Sequence, residues 1–256
     1  MRHLSLDPRC PRCFMKPVLC LCAAFTARPT RSHLRIIVPE MELKKSTNSG
    51  RLLPLLLSNA ALVPYGSEHK TLPPSPWPSS TRPLVIFPLQ GAPLLSEFCD
   101  LSSGRPSAAR LGGRQGADRP QGAVSTSGPQ DAIDVDNRPW TLILLDGTWH
   151  QANRLRKRFL TSHVPFARLP VDLRPSTYQL RQGHFTGSLS TLEAAARALA
   201  IVEDDVDVEA HLLDGFRRMV DRTLWLRGSK QAADVYGGLP AGITRHDVNR
   251  ALRAGG

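Results

Sequence analysis

Apolar residues in this chain gather into short runs that switch between two periods. His33–Val38 (HLRIIV) is a β-rich stretch that predicts the first strand of the main domain, and Leu84–Phe87 (LVIF) predicts a buried strand closed by Pro88. Thr141–Leu145 (TLILL) is apolar without a break, as expected of a central parallel strand covered on both faces. Tyr178–Arg181 is a further strand candidate. Between these runs the spacing becomes helical. Trp149–Leu160 places Trp149, Ala152, Leu155 and Phe159 on one buried face, and Ser190–Val202 forms a second helix. Val208–Leu226 carries a stripe of Leu212, Phe216, Met219 and Val220. Strands alternating with helices define an α/β domain with a mostly parallel sheet.

The punctuation between runs sets the domain plan. Lys44–Leu57 is a polar turn leading into an apolar segment, and Thr71–Pro83 is Pro-dense loop. Across 100–139, Gly, Ser, Pro, Ala, Arg and Gln dominate, with too few apolar residues to offset the entropy of ordering. We read it as a disordered insertion. The expected plan is a zinc-binding knuckle over 1–30, a catalytic domain over 31–226 interrupted by that insertion, and a tail over 227–256.

Composition changes this picture in one respect. The 256 residues carry a net charge of +11, with 33 Lys and Arg against 22 Asp and Glu. Such a surplus favours a polyanionic partner, because neutralising phosphates releases condensed counterions. No apolar run approaches the ~20 residues of a membrane-spanning helix, so no membrane partner is expected. Val18–Ala27 imitates a signal peptide, but Pro17, the preceding Asp7 and two internal cysteines argue against that reading. The expectation is a cytoplasmic protein.

Four of the five cysteines, Cys10, Cys13, Cys20 and Cys22, form a C-x2-C-x6-C-x-C array. Four thiolates grouped this way close a tetrahedral zinc site that organises a segment too small for its own core. Disulfides and an iron–sulfur cluster are the alternatives; reducing conditions weaken the first. Cys99 stands alone.

Two motifs carry candidate chemistry. In Leu144–Ala152 (LLDGTWHQA) an apolar strand ends at Asp146, Gly147 permits a sharp turn, and a helix starts near Thr148. Ligands of open α/β sheets bind beyond the carboxyl ends of the strands, which aims Asp146 at a site. Helix capping by Asp146 or Thr148 is the plainer explanation. In Leu189–Ala194 (LSTLEA), Ser190 and Glu193 match the S-x-x-E capping box. That helix start also presents N–H groups suited to a carboxylate.

The cysteine array, Ser46–Leu52 (STNSGRL), Phe87-Pro88, Asp146-Gly147-Thr148-Trp149 and Ser190–Ala194 occur in an order that resembles the DTW-domain family, over roughly Cys10 to Leu226 outside the insertion. Asp-Gly-Thr-Trp followed by Ser-Thr-Leu-Glu-Ala is the specific pairing. The sequence departs from the family in having Ser49 where Thr is common, and in the length of the insertion.

The resemblance implies a SPOUT-like fold with a C-terminal trefoil knot. It also implies tRNA-uridine aminocarboxypropyltransferase activity, in which S-adenosylmethionine donates its 3-amino-3-carboxypropyl group to uridine N3 and leaves as 5′-methylthioadenosine. On this reading Asp146 is the general base or the group that orients the cofactor. Phe87, Pro88, Thr148, Trp149, Ser190, Thr191 and Glu193 build the cofactor pocket. Arg154, Arg156, Lys157 and Arg158 present an exposed basic face to tRNA phosphates, with Arg51 and Arg181 in support. The arrangement requires the strand tip at Leu145 and the helix start at Ser190 to converge on one cleft. A SPOUT-type RNA methyltransferase and a non-catalytic zinc-ribbon RNA-binding protein are the competing readings.

Overall fold

The computed structural model describes residues 9–66, 72–103, 137–170, 176–180 and 188–245. Five strands form one wholly parallel sheet: β1 (His33–Pro39), β2 (Ala60–Tyr65), β3 (Arg82–Ile86), β4 (Trp140–Leu145) and β5 (Phe166–Ala167), in the order β2-β1-β4-β3-β5. The helices are α1 (Glu40–Leu43), α2 (Leu53–Leu56), α3 (Leu95–Ser103), α4 (Trp149–Thr161), α5 (Thr191–Glu203) and α6 (Val206–Leu226).

Strand geometry sends successive side chains to opposite faces, and both faces are covered. Leu34, Ile36, Val38, Leu84, Ile86, Leu142 and Leu144 join α2, α5 and α6 in the larger core, together with Cys13, Met15, Leu19 and Leu21 of the N-terminal knuckle. Ile37, Val85, Phe87 and Ile143 face the other way, onto Ala152, Leu155 and Phe159 of α4. The continuous apolar run of β4 is thus explained by its central place between β1 and β3.

Several sequence expectations need correction. Tyr178–Leu180 is not a strand but extended chain entering a turn, held by the Tyr178 hydroxyl donating to the Thr47 carbonyl; Arg181 lies outside the described residues. Trp149 does not share the buried face of α4, being 40% exposed, because it stands in the first turn, beyond the edge of the sheet. The edge strands β2 and β5 escaped the pattern: β2 is half-buried throughout and holds Pro64, and β5 has two residues. Helix α3 carries regular structure into the start of the segment read as an insertion; 104–136 lie outside the described residues.

Candidate functional site

The strand order turns back between β1 and β4, since β1 leads outward to β2 on one side while β3 and β5 lie beyond β4 on the other. The crevice beyond the carboxyl ends of such a pair is where parallel sheets bind ligands. Asp146 stands there, the first residue past β4, with its N–H bonded to the Ile37 carbonyl at 2.9 Å.

Asp146 does not cap a helix. Thr148 caps α4 through a capping box with Gln151, and Gly147 makes the turn between them with φ +126°. The Asp146 carboxylate, 5% exposed, points to the opposite face of the sheet. Its Oδ2 accepts from Asn48 Nδ2 at 2.5 Å and its Oδ1 from Thr191 Oγ1 at 2.5 Å. Three segments far apart in sequence therefore meet on one carboxylate. Gly50 makes the approach possible: a Cβ there would lie 3.3 Å from Asp146 Oδ2 and 3.4 Å from Thr191 Cγ2. Asn48 is fixed in turn, its Oδ1 accepting the Arg51 N–H at 2.9 Å.

The start of α5 is more occupied than its sequence suggests. Ser190 and Glu193 form the expected capping box. The N–H of Leu192 goes to Ser49 Oγ, that of Glu193 to Ser190 Oγ, and that of Ala194 to the Ser190 carbonyl. These groups are not available to a cofactor carboxylate, because neighbouring oxygens already satisfy them. The Glu193 carboxylate, 3% exposed, accepts from Ser176 Oγ, the Thr177 N–H and hydroxyl, and the Ser190 N–H. It pins the 176–178 segment onto the helix. The strand tip and the helix start converge, but the side chains of Asp146, Asn48 and Thr191 fill the space between them, so the single cleft the sequence reading requires there is not formed by these residues.

On the α4 face of the sheet lies an aromatic ledge. Trp149 stacks on the buried Phe87 with centroids 5.5 Å apart and planes 12° from parallel. Past Phe87, a groove of about 390 Å³ runs along Pro88, Leu89, Gln90, Gly91, Arg168 and Leu169, at the carboxyl ends of β3 and β5. Tyr65, at the end of β2, belongs to the same edge. Burial raises its pKa and the carboxylates of Asp146 and Glu42 add to this, while Arg154 opposes it.

The basic residues of α4 divide. Arg154, Lys157 and Arg158 are exposed, but Arg156 is half-buried, its Cζ 5.9 Å from the centre of the Phe87 ring. Arg158 Nη2 also donates to the Leu72 carbonyl at 2.9 Å. Arg51 turns away from α4 and sets its Cζ 4.3 Å over the Phe14 ring in the knuckle.

In the knuckle, the four Sγ atoms of Cys10, Cys13, Cys20 and Cys22 lie within 4.8 Å of one another, and all are free thiols. The Cys10–Cys22 and Cys13–Cys20 pairs are 3.5 and 3.6 Å apart. Tetrahedral coordination at Zn–S ≈ 2.3 Å puts sulfurs about 3.8 Å apart, whereas a disulfide needs about 2.05 Å. The donor set therefore fits a metal ion, and no pair is joined. Phe14, at φ 60°, makes the turn that folds Cys13 back. Burial works against ionising Cys10, but backbone N–H groups of Cys13 and Arg12 with the Cys22 and Cys13 thiols outweigh it and hold its thiol at about 6. Burial raises the Cys13 and Cys22 thiols.

Of the anticipated site residues, Asp146, Thr191, Ser190 and Glu193 form one network, Phe87 and Trp149 a stacked pair on the α4 face, Pro88 part of the groove past it, and the cysteines a separate cluster. Asn48, Ser49, Tyr65, Ser176 and Thr177 were not anticipated as site residues. Asn48 and Ser49 lay in plain view in the STNSGRL motif; nothing in the sequence marked the others.

The chain is thus an α/β protein with a parallel sheet, a buried carboxylate at the switch point of that sheet, and an N-terminal four-cysteine cluster that could hold a metal ion. The DTW domain family matches residues 7–224, and the chain belongs to it. It is similar to tRNA-uridine aminocarboxypropyltransferase 2 of Macaca fascicularis, at 28% identity over 80% of this chain and 60% of the relative. The same-named proteins of Mus musculus (26%; 83% and 62%) and Drosophila melanogaster (25%; 82% and 74%) are also similar. The chain thus spans about three fifths of the length of the two mammalian relatives. No solved structure matches it. Among the described residues, no helix is long and apolar enough to cross a membrane.

Proposed function

We propose that this chain is a tRNA-uridine aminocarboxypropyltransferase with a SPOUT-like, knotted catalytic domain. The observation that carries the reading is the Asp146 junction. The Asn48 segment, the Asp-Gly-Thr-Trp turn and the Ser-Thr-Leu-Glu-Ala helix meet on one carboxylate at the switch point of a parallel sheet. The names of the relatives and the charge of +11 support the same reading. Parallel strands in the order β2-β1-β4-β3-β5 support the SPOUT-like assignment, and a crystal structure that traces 170–190 tests the knot.

S-adenosylmethionine, when bound, supplies an activated carbon beside a sulfonium, with 5′-methylthioadenosine as the leaving group. This chain's part is positioning, which suits a reaction whose leaving group is already good. Phe87, Trp149 and Pro88 offer the stacking ledge and groove for the adenosyl part. Asp146 is assigned as a positioning residue: with both oxygens engaged it locks Asn48 and Thr191, and with them the floor of the site. Thr148, Ser190 and Glu193 fix the two helix starts that frame it. Arg154, Arg156, Lys157, Arg158 and Arg181 are assigned to the tRNA backbone. The knuckle cysteines hold a structural zinc ion, and free thiols suit a reducing cytoplasm.

The test is to incubate the full chain with unmodified tRNA and S-adenosylmethionine, then digest the tRNA for mass spectrometry. Aminocarboxypropyluridine and 5′-methylthioadenosine are expected in equal amounts. A methylated nucleoside with S-adenosylhomocysteine would make it a methyltransferase, and S-adenosylmethionine left intact would make it a binding protein.

A further inference from the structure

We propose that Arg51 and Arg222 are the counter-charges of the knuckle's metal–thiolate centre, and that through Arg51 the filled knuckle holds the Asn48 turn against Asp146. This rests on the reading that Cys10, Cys13, Cys20 and Cys22 hold a divalent metal ion.

Four thiolates around a divalent ion leave two surplus negative charges. Cys13 is buried and packed in the main core, and surplus charge in such surroundings is costly unless paired. Two guanidiniums, always protonated, reach the knuckle from other parts of the chain. Arg222 of α6, 7% exposed, donates from Nη1 to the carbonyls of Leu19 and Cys20, each at 3.1 Å. Arg51 lies over the ring of Phe14, the residue next to Cys13. The Nε of each is buried and finds no hydrogen-bond acceptor among the described residues. A buried donor without an acceptor is costly; no sulfur reaches either Nε as a hydrogen-bond acceptor, and the cysteines act on the two guanidiniums through charge, Cys13 and Cys10 on Arg51 and Cys13 and Cys20 on Arg222. Arg9 and Lys16 also add positive charge, but they lie within the knuckle itself. Arg51 and Arg222 reach it from outside, beside the packing of Met15, Leu19 and Leu21 in the larger core.

The connection to the site is short. The Arg51 N–H donates to Asn48 Oδ1, and Asn48 Nδ2 donates to Asp146. The donor is the Arg51 backbone, so the Arg51 side chain acts on Asn48 only by anchoring the Gly50–Leu52 turn that carries this N–H.

The experiment uses the full zinc-loaded chain. Metal analysis of the unsubstituted protein comes first: about one zinc per chain sustains the underlying reading, and none removes both it and the proposal. Zinc transfer to a chromogenic chelator is then timed for Arg222→Met, Arg51→Met, the two Lys variants and Leu212→Ala, which opens a cavity in the larger core without removing a charge. The Met variants should release zinc about 10-fold faster or more, the magnitude usual when partners of metal ligands are removed. The Lys variants should fall between, and Leu212→Ala should match the unsubstituted protein. Hydrogen exchange over 48–52 should rise on zinc removal, and should already be high in zinc-loaded Arg51→Met. Unchanged release in the Met variants, or equal acceleration in Leu212→Ala, overturns the charge role. Unchanged exchange at 48–52 overturns the link to Asn48. The Lys variants keep the test open if the Met variants fail to fold.

Discussion

Asp146 shows how one carboxylate organises a site by being fully engaged. Removing it strands the Asn48 amide and the Thr191 hydroxyl in a buried place, at about 1–3 kcal/mol for each group left unsatisfied. Asp146→Ala should therefore abolish aminocarboxypropyluridine formation while tRNA binding, measured by filter retention, stays near that of the unsubstituted protein; turnover at the normal rate would take Asp146 out of the site. Gly147 is constrained for a different reason. At φ +126° a side chain is strained, and its Cβ would sit 2.8 Å from Gln151 Oε1, in the capping box of α4. Gly147→Ala should lower the melting temperature and cut turnover together, and a variant with unaltered melting would show the turn to be relaxed.

At the scale of elements, the last residue of α5 joins that helix to the segment leading into β1. Glu203 accepts from the N–H groups of Arg31 and Ser32 at 3.0 and 2.9 Å, and from Arg31 Nε. Burial pushes the Glu203 carboxyl up, but the hydrogen bonds from Ser32 and Arg31 outweigh it and hold its pKa below the usual value. A carboxyl depressed on folding adds stability in full above its unfolded pKa, about 4.3, and loses it as pH falls through the lower folded value. Urea midpoints of the unsubstituted protein and Glu203→Gln should differ at pH 6 and converge below about pH 4; a constant gap would contradict this account. Helix α4 shows what periodicity reads well. Ala152, Leu155 and Phe159 are buried as their spacing predicts, since they face the sheet. Trp149 fits the same stripe and is exposed, because the stripe runs one turn past the sheet edge. Period alone does not say where the partner surface stops.

For the whole molecule, the proposed function assigns the charge of +11 to tRNA, with the surface of α4 as the proposed contact. Replacing Arg156 and Lys157 by Ala should weaken tRNA binding and reduce the salt slope by roughly one per lost phosphate contact. Equal slopes for the double variant and the unsubstituted protein would move the RNA face elsewhere. The knuckle is joined to this body by packing as well as charge, with Met15, Leu19 and Leu21 buried in the larger core.

Legible in the chain alone were the elements whose signal is local: the three inner strands β1, β3 and β4, the three long helices α4, α5 and α6, the Ser190–Glu193 capping box and the cysteine spacing. Each depends on residues within a few positions of one another, where period, caps and ligand spacing are set by backbone geometry. Only the tertiary structure decided that Asp146 bonds Asn48 and Thr191, 98 and 45 residues away, and that Glu193 is spent on Ser176 and Thr177. It alone set Arg51 over Phe14, the neighbour of Cys13. A hydrogen bond between distant segments depends on strand order, and strand order is chosen by how the two apolar faces are buried together rather than by any one stretch of sequence.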